Sequence, residues 1–321
     1  MAKKPLRVGI VMDPIESITP YKDSSLAMLL EAERREAEIH YFNQADLKIV
    51  SGTALGRSRR LNVEDSRSNW WRFGEEREIA LGELDVILMR KDPPFDMEYI
   101  YTTYILDRAK QAGALIMNDP EALRNMNEKA YTAWFPDCVP ATLITRSMDE
   151  MRAFLAEHGH AVIKPLGGMG GRSIFVIRQG DKNANVVFET LTDYGRQFAM
   201  AQTYIPEISL GDKRILLFDG EPVPYALARI PSDEDNRGNL VMGAVGKGQP
   251  LSDRDREICA RVGPALRDGG VIFAGIDVIG DYLTEVNVTS PTGMREIDEQ
   301  FDLNTAGLMF DAIERRLGRN G

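Results

Sequence analysis

The stretch Lys164-Pro165-Leu166-Gly167-Gly168-Met169-Gly170-Gly171-Arg172-Ser173 sets the tightest condition on how this chain folds. Four of the five residues from 167 to 171 are glycine, and short apolar runs flank them at 160–163 and 174–177. Neither run has helical period, and each has the length of a buried strand. A glycine tip between strands lets successive backbone N–H groups converge on an anion. Lys164 adds a fixed positive charge just before the tip, and Arg172 offers another just after it. The residues predict a phosphate-binding loop on a β-hairpin. An ordinary flexible turn is the alternative, although two residues would suffice for one.

Two commoner glycine motifs are excluded by spelling. A P-loop ends in Gly-Lys-Ser/Thr and opens a helix, whereas Arg172-Ser173 leads into a strand. The dinucleotide fingerprint needs a third glycine and a following helix; position 173 is Ser.

The rest of the composition narrows the class. A chain of 321 residues is long enough for two or three compact units. Its net charge of −10 argues against nucleic acid or an anionic membrane as the main partner. Two cysteines, Cys138 and Cys259, lie far apart, which makes neither a disulfide framework nor a structural zinc site. The three histidines are scattered, with His158 and His160 expected at a helix end. The start Met-Ala-Lys-Lys-Pro lacks an apolar leader core, and no run approaches the length of a membrane span, so a cytoplasmic protein is expected.

Taken in order, Leu6–Met12 reads as a central parallel strand ended by Asp13-Pro14, followed by a helix capped at Asp23-Ser24 and a strand at 38–42. That strand–helix–strand order starts a doubly wound α/β unit. Residues 51–78, polar and carrying Trp70 and Trp71, read as a long excursion with a marginal helix. A strand at 84–89 closes in Arg90-Lys91-Asp92-Pro93-Pro94. Charges at the carboxyl end of a parallel strand lie where such sheets bind ligands, so Arg90 is a candidate for a substrate carboxylate, with a solvated turn as the alternative. A helix at 99–111, a strand at 114–117 and a short helix from Asp119-Pro120 end the first domain near residue 122. Helices at 149–158 and 186–194 flank the glycine hairpin, and a strand follows at 198–204. Asp219-Gly220 marks a hairpin. Residues 231–250 read as a lid loop, since twenty polar residues inside a compact domain are usually functional. A helix at 252–268, a hairpin at 273–288 and a closing helix at 305–317 complete the chain.

The last hairpin carries Asp277, Glu285 and Asn287. A three-residue loop, 280–282, sets Asp277 opposite Glu285 with Asn287 alongside, and leaves Ile276, Val278, Val286 and Val288 on the core face. Two carboxylates and an amide oxygen are hard ligands that suit Mg²⁺ shared with nucleotide phosphates, Mn²⁺ being the alternative ion. Without a phosphate loop nearby, a plain polar hairpin face would be an equal reading.

Together with Lys129, these features resemble the ATP-grasp carboxylate–amine ligases. Longer segments are similar to the bacterial glutathione synthetase family: Val11-Met12-Asp13-Pro14, Asp23-Ser24-Ser25, Leu88 to Asp96, Lys164 to Gly171, Gly211-Asp212-Lys213-Arg214 and Thr284 to Thr292. The resemblance runs from about residue 6 to residue 317. It implies an α/β fold with an N-terminal doubly wound parallel-sheet domain (1–122) before a two-lobed ATP-grasp module, split into a central lobe (123–203) and a C-terminal lobe (204–321). It also implies ATP-dependent ligation of γ-glutamylcysteine to glycine through an acyl phosphate, with ATP and Mg²⁺ bound and a homotetramer as the assembly.

Carried onto this sequence, the resemblance assigns Lys129 and Lys164 to the α/β-phosphates. Gly168, Met169, Gly170 and Gly171 would cover the phosphates. The strand end with Gln202, Tyr204 and Ile205 would meet adenine through its backbone, and Asp212 would approach the ribose. Asp277, Glu285 and Asn287 would hold the metal. Arg214, Arg229 and Arg237 would steady the transferring phosphoryl group, Arg237 from the lid. Asp13, Ser25, Arg90, Ser290 and Thr292 would contact the substrate. Met242-Gly243-Ala244-Val245-Gly246 departs from the family pattern in Ala244 and Val245, which bears on lid closure. Two other readings stay open at this point, a ligase for another carboxylate–amine pair such as a D-alanine or glutamate ligase and a non-catalytic nucleotide-binding regulator; an NAD-linked enzyme is excluded by the glycine spelling.

Overall fold

The computed structural model describes residues 4–168, 171–230 and 245–319. Among these, the strands form three sheets. The first contains β1 (Arg7–Val11), β2 (Glu38–Phe42), β3 (Leu47–Val50), β4 (Thr53–Val63), β5 (Trp71–Ala80), β6 (Val86–Met89) and β7 (Leu115–Met117). Strands β2, β1, β6 and β7 run parallel in that order, and their near-continuous apolar runs follow from burial on both faces. Helices α1 (Ser24–Arg34) and α2 (Met97–Gln111) begin at Asp23 and Asp96, whose carboxylates accept from Leu26 N and Tyr99 N at 2.7 and 2.9 Å. Asp119 and Pro120 open α3 (Pro120–Asn125).

The expected excursion at 51–78 is instead an antiparallel hairpin: β4 pairs with β2 and β3 on one side and with β5 on the other. The sheet is therefore mixed, with an antiparallel edge. Its polarity hid it. The Arg59 guanidinium lies over the rings of Tyr41 and Phe73 (4.8 and 4.4 Å), so an arginine fills part of the apolar side. Trp70 is buried, and Trp71 packs on Phe73 with ring centroids 4.8 Å apart. His40 is fully buried in β2, bonded to Ser58 Oγ (2.7 Å) and Glu38 Oε1 (2.9 Å). Burial, with Arg7 and Arg77 adding like charge, pushes its pKa down from 6.5 to about 4. A depressed base favours the folded state most above the unfolded value. Its contribution, on the order of 2–3 kcal/mol, is therefore lost as pH falls from 6.5 towards 4. Urea unfolding across that window is expected to be steeper in pH for the parent protein than for His40→Gln; parallel profiles refute the assignment.

The second sheet has the order β10 (Phe175–Arg178), β9 (His160–Pro165), β11 (Ala199–Thr203), β8 (Thr142–Thr145), with α4 (Met148–His158) and α5 (Ala184–Thr192) on one face. β9 and β10 are the two arms of the glycine hairpin and pair antiparallel. His160 stands in β9 rather than at a helix end. Residues 130–134 form a 3-10 turn.

The third sheet runs β14 (Val245–Pro250), β13 (Glu221–Ile230), β12 (Asp212–Phe218), β15 (Phe273–Ile279), β16 (Tyr282–Asn287). β14 corrects the 231–250 loop, because its last six residues pair with β13. Residues 231–244 lie outside the described residues. Helices α6 (Asp253–Asp268), α7 (Met294–Phe301) and α8 (Thr305–Arg316) cover this sheet and its junction with the first.

The first and third sheets share two apolar clusters that mix residues of both, whereas the second has a core of its own. Asn118, just after β7, fastens the shared boundary. Its Nδ2 donates to the carbonyls of Phe273 and Val288 (2.6 Å each), and its Oδ1 accepts from Ile272 N and Phe273 N (2.8 and 3.0 Å). Asn118→Ala strands four backbone groups in a buried place and is expected to cost about 2–3 kcal/mol, read as a lower urea midpoint at unchanged slope. An unchanged midpoint refutes the tie.

Candidate active site

A cleft of about 360 Å³ opens between one face of the second sheet and the third sheet. Alternation along β9 turns Ala161 and Ile163 towards α4 and α5, and Val162 and Lys164 towards the cleft. By the same rule β12 presents Asp212 and Arg214, β15 presents Asp277 and Ile279, and β16 presents Glu285 and Asn287. Strand pairing then aligns the charges: Arg214 is opposite Asp277, Asp212 opposite Arg229, and Asp277 opposite Glu285.

The hairpin register corrects one expectation and keeps its result. Ile279 pairs with Tyr282, so the loop is the two residues Gly280-Asp281. A bulge then inserts Thr284, whose Oγ1 donates to the Asp277 carbonyl at 3.1 Å, and this restores the Asp277–Glu285 pairing. Ile276, Val278, Val286 and Val288 are buried on the core face.

Asp277 is gripped by two arginines. Arg214 donates through Nε and Nη2 to its two oxygens, and Arg229 Nη2 lies 2.9 Å from Oδ2. Burial opposes the carboxylate charge, but the two guanidiniums outweigh burial and hold its pKa well below the usual range. Asp212, bonded to Arg229 Nη2, is shifted the other way, burial being the larger effect. Lys129 Nζ donates to Glu128 Oε1 (2.8 Å) and to the Gly168 carbonyl (3.1 Å), and lies 3.6 Å from Glu285. Burial disfavours its charge, yet Glu285 and Glu128 raise its pKa on balance. Lys164 differs from all of these. It is 5% exposed and has neither a hydrogen bond nor an ion pair among the described residues. Burial pushes its pKa down, only partly offset by Glu285. An unpaired buried ammonium facing a cleft is a receptor for an anion.

The donor set of Asp277, Glu285 and Asn287 fits a divalent cation, since each side chain keeps an oxygen lone pair. Asn287 Nδ2 points to Asp277 Oδ2 at 3.4 Å; a carboxylate only accepts, so the amide oxygen of Asn287 is the other end and has no hydrogen bond among the described residues. Glu285 holds Lys129 only at 3.6 Å and has oxygens to offer. Asp277 accepts from both arginines, and its Oδ1, bonded to Arg214 Nε alone among the described residues, keeps a lone pair for a cation.

Gly168 and Gly171 line the cleft, both at positive φ, which favours glycine there. Met169, Gly170 and Arg237 lie outside the described residues, as does most of the departing segment 242–246. Gln202, Tyr204 and Ile205 line the cleft with Val162, Ile174, Val176, Ile208 and Ile279, an apolar slot. Asp212 stands beside Arg229 and Asp277, among the charged groups rather than in that slot. Ser290 and Thr292 line the far end with Asp92 and Pro93. Arg90, Ser25 and Asp13 are not among the lining residues. Arg90 Nε donates to Ser25 Oγ (3.0 Å) and Nη2 to the Pro291 carbonyl (3.1 Å), which props the 290–292 segment from behind. Asp13 bonds Lys91 Nζ (2.9 Å) and Asp92 N (3.0 Å). Sequence reasoning missed Glu128 and Asn127, whose Nδ2 donates to the Leu166 carbonyl at 3.0 Å and steadies the loop base. Their adjacency to Lys129 was the available signal.

The model of the prokaryotic glutathione synthetase N-terminal domain matches residues 6–124, and that of the family's ATP-grasp domain matches residues 128–302. The chain belongs to the prokaryotic glutathione synthetase family. It is 55% identical over 314 residues to the glutathione synthetase of Salmonella typhimurium, covering 98% of this chain and all of that protein. Against the glutathione synthetase of Vibrio cholerae the identity is 54% over 312 residues, covering 97% and 98%. Among solved structures, a D-cycloserine synthetase superposes with a TM-score of 0.68 at 14% identity, covering 97% of this chain and 99% of that one. A D-alanyl-alanine synthetase A from Vibrio cholerae gives 0.60 at 11% identity, covering 99% and 100%. These two share the fold with this enzyme. The full-length family match decides against the other ligases and the regulator that the motifs had left open.

Proposed function

We propose that this enzyme, an ATP-dependent ligase of glutathione synthesis, activates the cysteinyl carboxylate of γ-glutamylcysteine as an acyl phosphate and passes it to glycine. The observation that carries the reading is Lys164: a buried cation without a hydrogen bond or ion pair among the described residues, in a cleft whose opposite wall holds Asp277 between two arginines. In this reading Lys129 and Lys164 neutralise the nucleotide phosphates, and the backbone N–H groups of the glycine loop close over them. Asp277, Glu285 and the amide oxygen of Asn287 would hold a divalent ion, Mg²⁺ with Mn²⁺ as the alternative, which would supply charge neutralisation for the phosphates. Arg214 and Arg229, fixed by Asp277, face the charge that develops on the transferring phosphoryl group.

A carboxylate oxygen of the peptide attacks the γ-phosphorus and ADP leaves. The glycine amine then attacks the acyl carbon, phosphate departs, and the amine proton is released. No protein nucleophile is required. Cys138 and Cys259 are buried in the core, and no histidine is among the lining residues of the cleft. Arg90 acts here by holding Ser290 and Thr292 against the substrate. The units 1–122, 123–203 and 204–321 would supply the substrate end, the nucleotide loop and the metal strand respectively. The same reading has the enzyme cytoplasmic and tetrameric, and the exposed Met97, Tyr101 and Tyr104 on α2 offer apolar surface for such contacts. Light scattering on the purified chain tests the count.

The deciding assay measures ADP release with γ-glutamylcysteine, with and without glycine, alongside mass detection of the tripeptide. Glycine-dependent ADP release with glutathione formed is expected. Turnover only with a different carboxylate–amine pair rejects the substrate assignment.

A further inference from the structure

Gln202 is 3% exposed, lines the cleft, and pairs in register with Val162 of β9 on one side and Thr142 of β8 on the other. Its carboxamide is held in one orientation by a short chain of bonds. Thr142 Oγ1 lies 2.8 Å from the carbonyl of Pro140. A carbonyl only accepts, so the Thr142 hydroxyl proton is committed there. The hydroxyl oxygen can then only accept from Gln202, 3.0 Å away, and the atom it meets must be the donor Nε2. The orientation of the amide follows from these atom types alone. Gln202 Oε1 is therefore left as an acceptor with no hydrogen bond among the described residues, on a residue that walls the apolar slot.

We propose that Thr142, acting through Gln202, makes the nucleotide site select a 6-amino purine over a 6-oxo purine. The inference rests on the reading that the base lies along Gln202–Ile205. An acceptor fixed in that slot matches the exocyclic amine of adenine and opposes the carbonyl of guanine, which would bring two acceptors together with no proton between them. Thr142 is a positioning residue, since it touches Gln202 and is not among the residues that line the cleft. Were its hydroxyl proton free, the amide could rotate and offer Nε2, and guanine would be tolerated.

The test compares kcat/KM for ATP and GTP with the other substrates saturating, in the parent enzyme, Thr142→Val and Thr142→Ser. The ATP-over-GTP preference is expected to fall about tenfold in Thr142→Val, the size of one hydrogen bond, with the change in KM rather than kcat. Thr142→Ser is expected to restore it. Because the valine variant also removes the hydrogen bond from Thr142 to the Pro140 carbonyl, which bears on stability by itself, Gln202→Leu is measured beside it and is expected to lower the same preference. An unchanged preference in Thr142→Val with a lowered one in Gln202→Leu overturns the relay. Photolabelling with 8-azido-ATP and peptide mapping reports separately on where the base sits: labelling remote from 202–205 rejects the location, whereas labelling there with unchanged preference in both variants rejects the selection alone.

Discussion

Asp277→Asn is expected to cut kcat/KM about a thousandfold and to weaken the fold by about 3 kcal/mol in the same molecule. Both effects come from one carboxylate. Arg214 and Arg229 are 7% and 9% exposed, and Asp277 is the group they both grip. An amide in its place keeps one acceptor but turns an NH₂ towards two guanidiniums, so their charge is left inadequately met in a buried place. The arginines then lose the orientation that faces the transferring phosphoryl group. Asp212→Asn is the informative comparison, since burial already presses the Asp212 carboxyl towards its neutral form and the change should cost less. Single-turnover ADP formation and urea unfolding give the two readouts. Activity within tenfold of the parent, or a milder loss than that of Asp212→Asn, rejects the assignment.

Lys164→Met is expected to separate stability from function in opposite directions. The unpartnered ammonium destabilises the ligand-free protein, so a methionine of similar length should raise its stability by on the order of 1 kcal/mol. Nucleotide affinity should fall by roughly two to three orders of magnitude, because a charge-assisted bond made away from water is lost. Isothermal titration with ATP and thermal unfolding without it decide the matter. A variant that is destabilised without ligand has lost packing instead, and one that still binds ATP normally shows that the phosphates lie elsewhere.

Much of the site could be read from the chain because its signals are local. The glycine run, its flanking strands and the period of β1 and α1 depend on neighbours in sequence, and each was legible. The alternation around Asp277, Glu285 and Asn287 was legible for the same reason. The bulge at Thr284 was not, since nothing in Leu283-Thr284-Glu285 distinguishes a bulged strand from a regular one until the two-residue turn is fixed. The clamp of Arg214 on Asp277 was also hidden, because it depends on β12 lying beside β15, a pairing of strands about 60 residues apart that the fold alone decides. Strands β4 and β5 failed through composition: their arginines and glutamates read as loop, while the guanidinium of Arg59 covers aromatic rings. Asn118 gave no signal at all. Its four partners belong to residues 154 to 170 positions away.

The uneven sharing of apolar clusters has a consequence for how the molecule breathes. Residues of the first and third sheets interlock in common cores with Asn118 across their seam, while 143–201 pack around a core of their own. Opening events should follow that division. Amides of β9 and β11 are expected to exchange with solvent deuterium by a sub-global route, ahead of those in β1, β12 and β15. Occupancy of the nucleotide slot would suppress that route selectively, so that the least protected of the three sheets becomes the part whose protection records binding.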